Sequence, residues 1–366
     1  MERSPTIYDV ARAAGVAPST VSRAFSRPGR VNAATAERIR TVAEELGYRT
    51  NPLASALPTG RTSMLAVASS DITNPYYAEI IRAVQNTAAE SGYTCLIVDA
   101  QESDRLERAE LDRALPVVEG IVLAGSRMSN SSIRQIAKQR PTIVLNRDVS
   151  DVQRVVADHA QAMRHAVDHL QELGHDQITY LSGPEAAWAD GMRWRTLLSL
   201  ATERGLHVQH LAPRSPTVAG GVAAATEFRH SPTRAVIAYN DLMAIGFLRG
   251  ALRAGVRVPQ DVSVVGFDNV FAASLVTPGL TTVAAPLRTM GSVAVRNLIA
   301  AIGGAPANVH TPVTLPTRLV VRASTGERRP RSARRHRRRP AASVAAPASR
   351  AEVVPSTTAP ARLTSS

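Results

Sequence analysis

Within the stretch TIYDVARAAGVAPSTVSRAF, residues 6–25, Ser19, Thr20, Ser22 and Arg23 stand almost side by side. Hydroxyls and a guanidinium so close together are groups that can meet base edges and phosphates. A second set lies at His165, Asp168 and His169, where histidines four apart on one helix have a spacing that can bind a metal. His159 and His175 are nearby, but no motif supplies a third and fourth ligand, so neither a metal nor another cofactor is expected. No G-x-x-x-x-G-K loop, no G-x-S-x-G elbow and no motif of paired acids occurs, so the chain is not expected to be an enzyme. Cys95, the single cysteine, reads as a small apolar residue of a buried strand.

The elements that must hold the first set are short helices. Thr6 can cap a helix over residues 7–14, with Asp9 completing a capping box and Gly15 supplying a left-handed turn. Pro18 fits the first position of a second helix to Phe25, with Val21, Ala24 and Phe25 inward and Ser19, Ser22 and Arg23 outward. A third helix follows over about 33–46, capped by Asn32, with Ile39, Val42, Ala43 and Leu46 on its apolar stripe and Gly47 closing it. Three such helices make a helix-turn-helix head whose second helix suits a major groove roughly 12 Å wide. The competing reading is an ordinary solvated face. Asn51 and Pro52 can then start a helix that Pro58 limits to a few residues, too short to hold alone and expected to order only on binding.

Charge points the same way. Of a net +13, residues 1–62 carry nine arginines against five acids, and residues 327–366 carry ten against two, leaving the middle nearly neutral. Basic ends on a neutral body suggest a nucleic-acid partner. Eight arginines fall within 328–339, followed by Ala, Ser, Pro and Thr, so residues 327–366 read as a disordered basic tail. No run of 18 apolar residues and no signal-peptide pattern occurs, which favours a cytoplasmic protein without a membrane partner.

From Met64 to about Ser324, apolar runs such as MLAVASS, GIVLAG, PTIVLN, QITYLSG, AVIAYN and SVVGFDN alternate with amphipathic helices. Continuous Val, Ile and Leu runs between helices indicate parallel sheets covered on both faces. At this length, two doubly wound subdomains with a cleft between them are the economical arrangement.

The stretch from Thr6 to Leu57, together with DITNPYY, VEGIVLAG, ELGHDQI, YNDLMAIGFLRGALRAGVRVPQDVSVVGFDN, PGLTTV and RLVVRAST, resembles the lactose-repressor (LacI/GalR) family of bacterial transcription regulators. The resemblance covers residues 5–326. It implies a head at 1–50, a hinge helix and linker at 51–62 and a type I periplasmic-binding-protein-like core at 63–326. Subdomain 1 of that core would hold about 63–157 and 285–315, and subdomain 2 about 158–283 and 316–324. It further implies DNA contacts from Thr6, Tyr8, Pro18, Ser19, Thr20, Ser22, Arg23, Ser26 and Arg30. In the hinge, Asn51 would cap, Leu53 and Ala54 would pack hinge against hinge, and Leu57 would wedge into a minor-groove step. Ala17 departs from the usual hydroxyl cap and Thr50 from a common proline; a lost cap costs about 1 kcal/mol.

Ligands of open α/β sheets sit at strand C-terminal ends, which puts Asp71, Asn146, Arg193, Asn240 and Asp268 near the cleft. The resemblance adds Tyr76 and Trp188 and matches Arg193, Asn240 and Asp268 most directly; a guanidinium facing a carboxylate can chelate vicinal hydroxyls. Ala187, Ala189, Thr196, Ala284, Ala285 and Asn146 replace residues common in sugar-binding members, so the pocket reads as less polar than theirs. The expectation is a regulator, most simply a repressor, that binds a near-palindromic double-stranded operator as a homodimer or tetramer. Its effector would be a carbohydrate or nucleoside. The alternative is a solute-binding receptor of the periplasmic type without DNA regulation, against which the head argues.

Overall fold

The computed structural model describes residues 5–26, 29–48 and 61–328. Asn51, Leu53, Ala54 and Leu57 of the expected hinge, and the tail from 329 onward, lie outside the described residues.

The head forms three helices, α1 (Ile7–Ala13), α2 (Pro18–Ser26) and α3 (Ala33–Glu45). Asp9 accepts from the Thr6 backbone N–H at 2.9 Å and from its hydroxyl at 2.7 Å, so the carboxylate half of the expected box forms. Gly15 turns the chain at φ +64°, a region that favours glycine. Asn32 caps α3 by accepting from the Ala34 N–H at 2.9 Å. Val10, Val21 and Ile39 are fully buried at the centre, surrounded by alanines. Leu46, expected on the buried stripe, is instead 41% exposed because it follows the last residue of α3. Tyr48 packs back toward Phe25, their rings 6.2 Å apart.

The body contains two six-stranded sheets. The first is built from β1 (Met64–Ser69), β2 (Thr94–Asp99), β3 (Gly120–Ala124), β4 (Thr142–Leu145), β5 (Gln153–Ala157) and β11 (Val313–Leu315), ordered β11-β5-β4-β3-β1-β2 and wholly parallel. Its helices are α4 (Pro75–Glu90), α5 (Asp104–Ala114), α6 (Asn130–Ala137) and α11 (Leu287–Ile302). Alternation along β1 explains the double cover: Leu65 and Val67 join the core under α4 and α11, while Ala66 and Ala68 join the one under α5 and α6.

The second sheet comprises β6 (Gln177–Leu181), β7 (His207–Leu211), β8 (Ala235–Ala238), β9 (Ser263–Asp268), β10 (Thr281–Ala284) and β12 (Arg318–Val320), ordered β12-β10-β9-β8-β6-β7. Its helices are α7 (His159–Glu172), α8 (Trp188–Arg204), α9 (Val218–Phe228) and α10 (Asp241–Arg253). Helices α9 and α10 cross at Gly221 and Gly246, where an added Cβ would lie 2.0 Å from the Met243 and Val218 carbonyl oxygens respectively. One strand departs from the expected all-parallel reading, since β12 pairs antiparallel with β10. Both β11 and β12 are three-residue edge strands exposed over much of their length.

The chain passes between the lobes near Asp158, Ala285 and Pro316. Asp158 ties two of these crossings, its N–H donating to the Leu315 carbonyl at 2.9 Å and its carboxylate capping α7 at Gln161. Arg328, expected in the tail, is held by the second lobe: its N–H donates to the Leu173 carbonyl at 2.8 Å and its guanidinium meets Asp176 at 2.6 Å. No described helix is long and apolar enough to cross a membrane.

Candidate functional site

Two places gather the singled-out residues. On the head, Ser19, Arg23, Ser26, Arg30 and Tyr8 are exposed, while Thr6, Pro18, Thr20 and Ser22 are half-buried. Thr6 is engaged with Asp9, and the Ser26 hydroxyl donates to the Ser22 carbonyl at 2.8 Å. Arg23 and Arg30 form no ion pair among the described residues, whereas Arg12 leans toward Asp9. The α2 face therefore presents the Arg23 cation, with no ion pair among the described residues, beside small hydroxyls that can approach a duplex closely.

The second place is the cleft between the lobes, at the C-terminal ends of the strands. Tyr76, Asn146, Trp188, Arg193, Asn240 and Asp268 all line it. Asp71 does not: its carboxylate accepts from the Thr73 N–H at 2.8 Å and hydroxyl at 2.6 Å, which makes it a turn former. The adjoining Asn74 caps α4 and lines the cleft in its place.

Arg193 and Asp268 form the floor. Both side chains are almost fully buried, and Arg193 Nη2 stands 3.7 Å from Asp268 Oδ1, an ion pair that is not closed into a hydrogen bond. Arg193 also donates to the Tyr239 carbonyl, lies 4.2 Å from the Phe267 ring centroid, and has a buried Nε without a partner among the described residues. Burial raises the Asp268 carboxyl to about 7, with the facing guanidinium pulling the other way. Asp268 is held at φ +106° and Asn269 at φ +55°, in a region that disfavours side chains. The buried Asp241 carboxylate secures that loop by accepting from the Val270 N–H at 2.8 Å and the Thr282 hydroxyl at 2.6 Å.

Asn240 is a working cap as well as a wall: its Oδ1 accepts from the Met243 N–H at 2.8 Å and its Nδ2 donates to the Pro216 carbonyl. Asn146 donates to the Tyr76 hydroxyl and accepts from the Ala157 N–H at 2.9 Å. Trp188 opens α8 and meets His159 edge-on at 5.6 Å. That histidine is buried with an Nε2 that has no partner among the described residues, and its pKa is driven well below the usual value by burial and then by the Arg193 charge.

Sequence reasoning missed Tyr77, Glu102, Arg127, Arg147 and Tyr239, all of which line the same cleft. Arg127 and Arg147 follow the ends of β3 and β4, and applying the strand-end rule to every strand would have found them. The open volume is only about 40 Å3, far below the roughly 300–1,000 Å3 of clefts that enclose small molecules.

His169 meets the Thr325 hydroxyl at 2.9 Å, Asp168 pairs with Arg204, and no group of three metal-ligating side chains occurs among the described residues.

Comparison with known proteins gives a consistent picture. Residues 6–51 match the family of bacterial regulatory proteins described as lacI, and residues 167–325 match a periplasmic binding protein-like domain. The HTH-type transcriptional repressor CytR of Escherichia coli K12 is 31% identical over 332 residues, covering 88% of this chain and 97% of that protein. A crystal structure of the Lac repressor dimer bound to operator and the anti-inducer ONPF superposes with a TM-score of 0.81 at 25% identity, over 88% of this chain and 100% of that one. The complex of the transcriptional regulator CelR with cellobiose gives a TM-score of 0.65 at 29% identity, over 87% and 99% of the two chains.

Proposed function

The chain belongs to the lacI family of bacterial regulatory proteins, DNA-binding transcriptional regulators with an effector-binding core, and from that premise we propose that it is a cytoplasmic repressor. In this reading two chains grip a near-palindromic operator through Ser19, Arg23 and the neighbouring α2 residues, and a small polyhydroxylated effector enters the cleft to change that grip. The observation that carries it is the unclosed Arg193–Asp268 pair at 3.7 Å, which a vicinal diol can bridge by charge-assisted hydrogen bonds. CelR with cellobiose and an Enterococcus faecalis V583 regulator with bound ribose support a carbohydrate over a nucleoside.

A homodimer is supported by apolar side chains left in the open. Leu252, Phe271 and Leu275 are 74%, 70% and 73% exposed, on α10 and the adjoining 3-10 turn Phe271–Ser274. A tetramer would need a further surface.

Coupling would run through the first lobe. Ser63, one residue before β1, donates its N–H to Glu119 at 2.7 Å, and Glu119 also meets Arg61 at 3.5 Å. Parting of the lobes about their three crossings would shift this anchor, and with it the spacing of the two heads.

The test is a thermal-shift screen of neutral pentoses, hexoses and nucleosides against the full chain and Asp268→Ala, with hits carried into an operator-binding titration. A compound that stabilises the parent but not the variant, and changes operator affinity, supports the assignment. Hits that act equally on both overturn it.

A further inference from the structure

Charge around the cleft is uneven, and the excess lies on one lip. Arg127, Arg147 and Arg193 line it against two carboxylates, Glu102 and Asp268. Arg193 faces Asp268, and Arg127 holds Glu102 with two bonds, Nε to Oε2 at 2.6 Å and Nη2 to Oε1 at 3.1 Å. Arg147 makes no hydrogen bond to a carboxylate among the described residues: its guanidinium donates to the Ser126 carbonyl at 2.8 Å and the Asn130 side-chain oxygen at 2.9 Å, both neutral acceptors. The one other acid beside this lip, Glu107, is 1% exposed beneath the loop, where it accepts from the Arg127 backbone N–H at 3.0 Å.

Arg127 and Arg147 are close enough to repel. Burial holds the Arg147 guanidinium below its usual pKa, the buried Glu107 carboxylate pulling it back up and the Arg127 charge pushing it further down. The Arg127 side chain is 7% exposed, and its Nη1 has no partner among the described residues. A buried guanidinium and a half-buried one on one lip, the second hydrogen-bonded only to neutral acceptors, define a place where an anion relieves repulsion and gains charge-assisted hydrogen bonds. A neutral sugar would leave that repulsion in place.

We propose that the effector is anionic, a polyhydroxylated compound whose phosphate or carboxylate is held between Arg127 and Arg147 while its hydroxyls face Arg193 and Asp268. This rests on the cleft being the effector site, and it goes beyond that reading by fixing the chemical class. The split of labour follows from the geometry: the first lobe supplies a guanidinium hydrogen-bonded only to neutral acceptors beside a second one, and the second lobe supplies a charge pair already balanced but not closed.

Inorganic phosphate tests the lip directly, whatever compound carries the anion. It is titrated into the full chain, Arg147→Gln and Arg147→Lys at constant ionic strength, and followed by melting temperature and tryptophan fluorescence, since Trp188 lines the cleft. Phosphate should stabilise the parent beyond chloride, and R147Q should lose at least about tenfold in phosphate affinity, with R147K in between. No phosphate effect beyond chloride, or equal affinity in the parent and R147Q, overturns the proposal. Glucose, glucose 6-phosphate and gluconate then separate the sources: preference for the ester assigns a phosphate, preference for the acid a carboxylate, and preference for glucose overturns the proposal. Failure here with a neutral compound still binding through Asp268 leaves the cleft reading standing, whereas binding that ignores both Arg147 and Asp268 removes both.

Discussion

Arg193 and Asp268 face one another at 3.7 Å, each almost wholly withdrawn from water, yet no hydrogen bond joins them. Pairing two buried charges offsets their desolvation only when geometry and further hydrogen bonds are good, so a pair left ajar is costly unless something completes it. Arg193→Gln should therefore weaken effector binding by about 2 kcal/mol or more while operator binding without effector stays within a factor of about two or three. Calorimetry and operator titration on the same preparation read the two quantities; an equal loss in both would mean that Arg193 only holds the fold.

Asp268 also makes stability depend on pH. Its carboxyl sits at about 7 when folded against 3.8 when free, so folding favours the protonated form. The contribution is complete below about pH 4, is lost as pH rises from there to about 7, and is flat above. Denaturation midpoints of the parent and Asp268→Asn should diverge across that window, the variant gaining relative stability as pH rises. A difference independent of pH contradicts the assignment.

Asp241 is the prop beneath this site. Removing its carboxylate in Asp241→Ala strands the Val270 N–H and Thr282 hydroxyl and releases the loop that holds Asp268 and Asn269 at positive φ. The expected result is a loss of about 1–3 kcal/mol in stability with a fall of roughly tenfold in effector affinity. Full retention of both by D241A would show that the loop holds its shape unaided.

Gly246 permits the close crossing of α9 and α10. Gly246→Ala puts a methyl 2.0 Å from the Val218 carbonyl oxygen and must push the helices apart. A destabilisation of about 1–3 kcal/mol, read as a lowered melting temperature, is expected; an unchanged melting temperature would mean the crossing relaxes freely.

Much of this organisation was legible because it is local. Asn32, Asp158 and Asn240 stand directly before helices and cap them by short-range bonds, and β1, β3, β4 and β8 announce themselves as apolar runs. What the chain brings together from afar was harder to read. The antiparallel β12 has no pattern of its own, and Arg127 and Arg147 look like solvated loop residues until β3 and β4 place their ends at one cleft. Asp71 was misplaced for the opposite reason, since its own turn at Thr73 claims the carboxylate before the cleft can.

The head offers a separate handle. Arg23 is exposed and without an ion pair among the described residues, so Arg23→Ala should weaken binding to specific and nonspecific duplexes alike and reduce the slope of log affinity against log salt by about 1. An unaltered salt slope would remove Arg23 from the phosphate contacts.

The central claim is that two copies of this chain read a duplex symmetrically through α2. It is tested most directly by letting the full chain select from a randomised double-stranded library and sequencing the bound fraction. The expected outcome is an enriched inverted repeat with half-sites about one helical turn apart, bound by two chains. Enrichment of no sequence, or of a single unrepeated site bound by one chain, would contradict it.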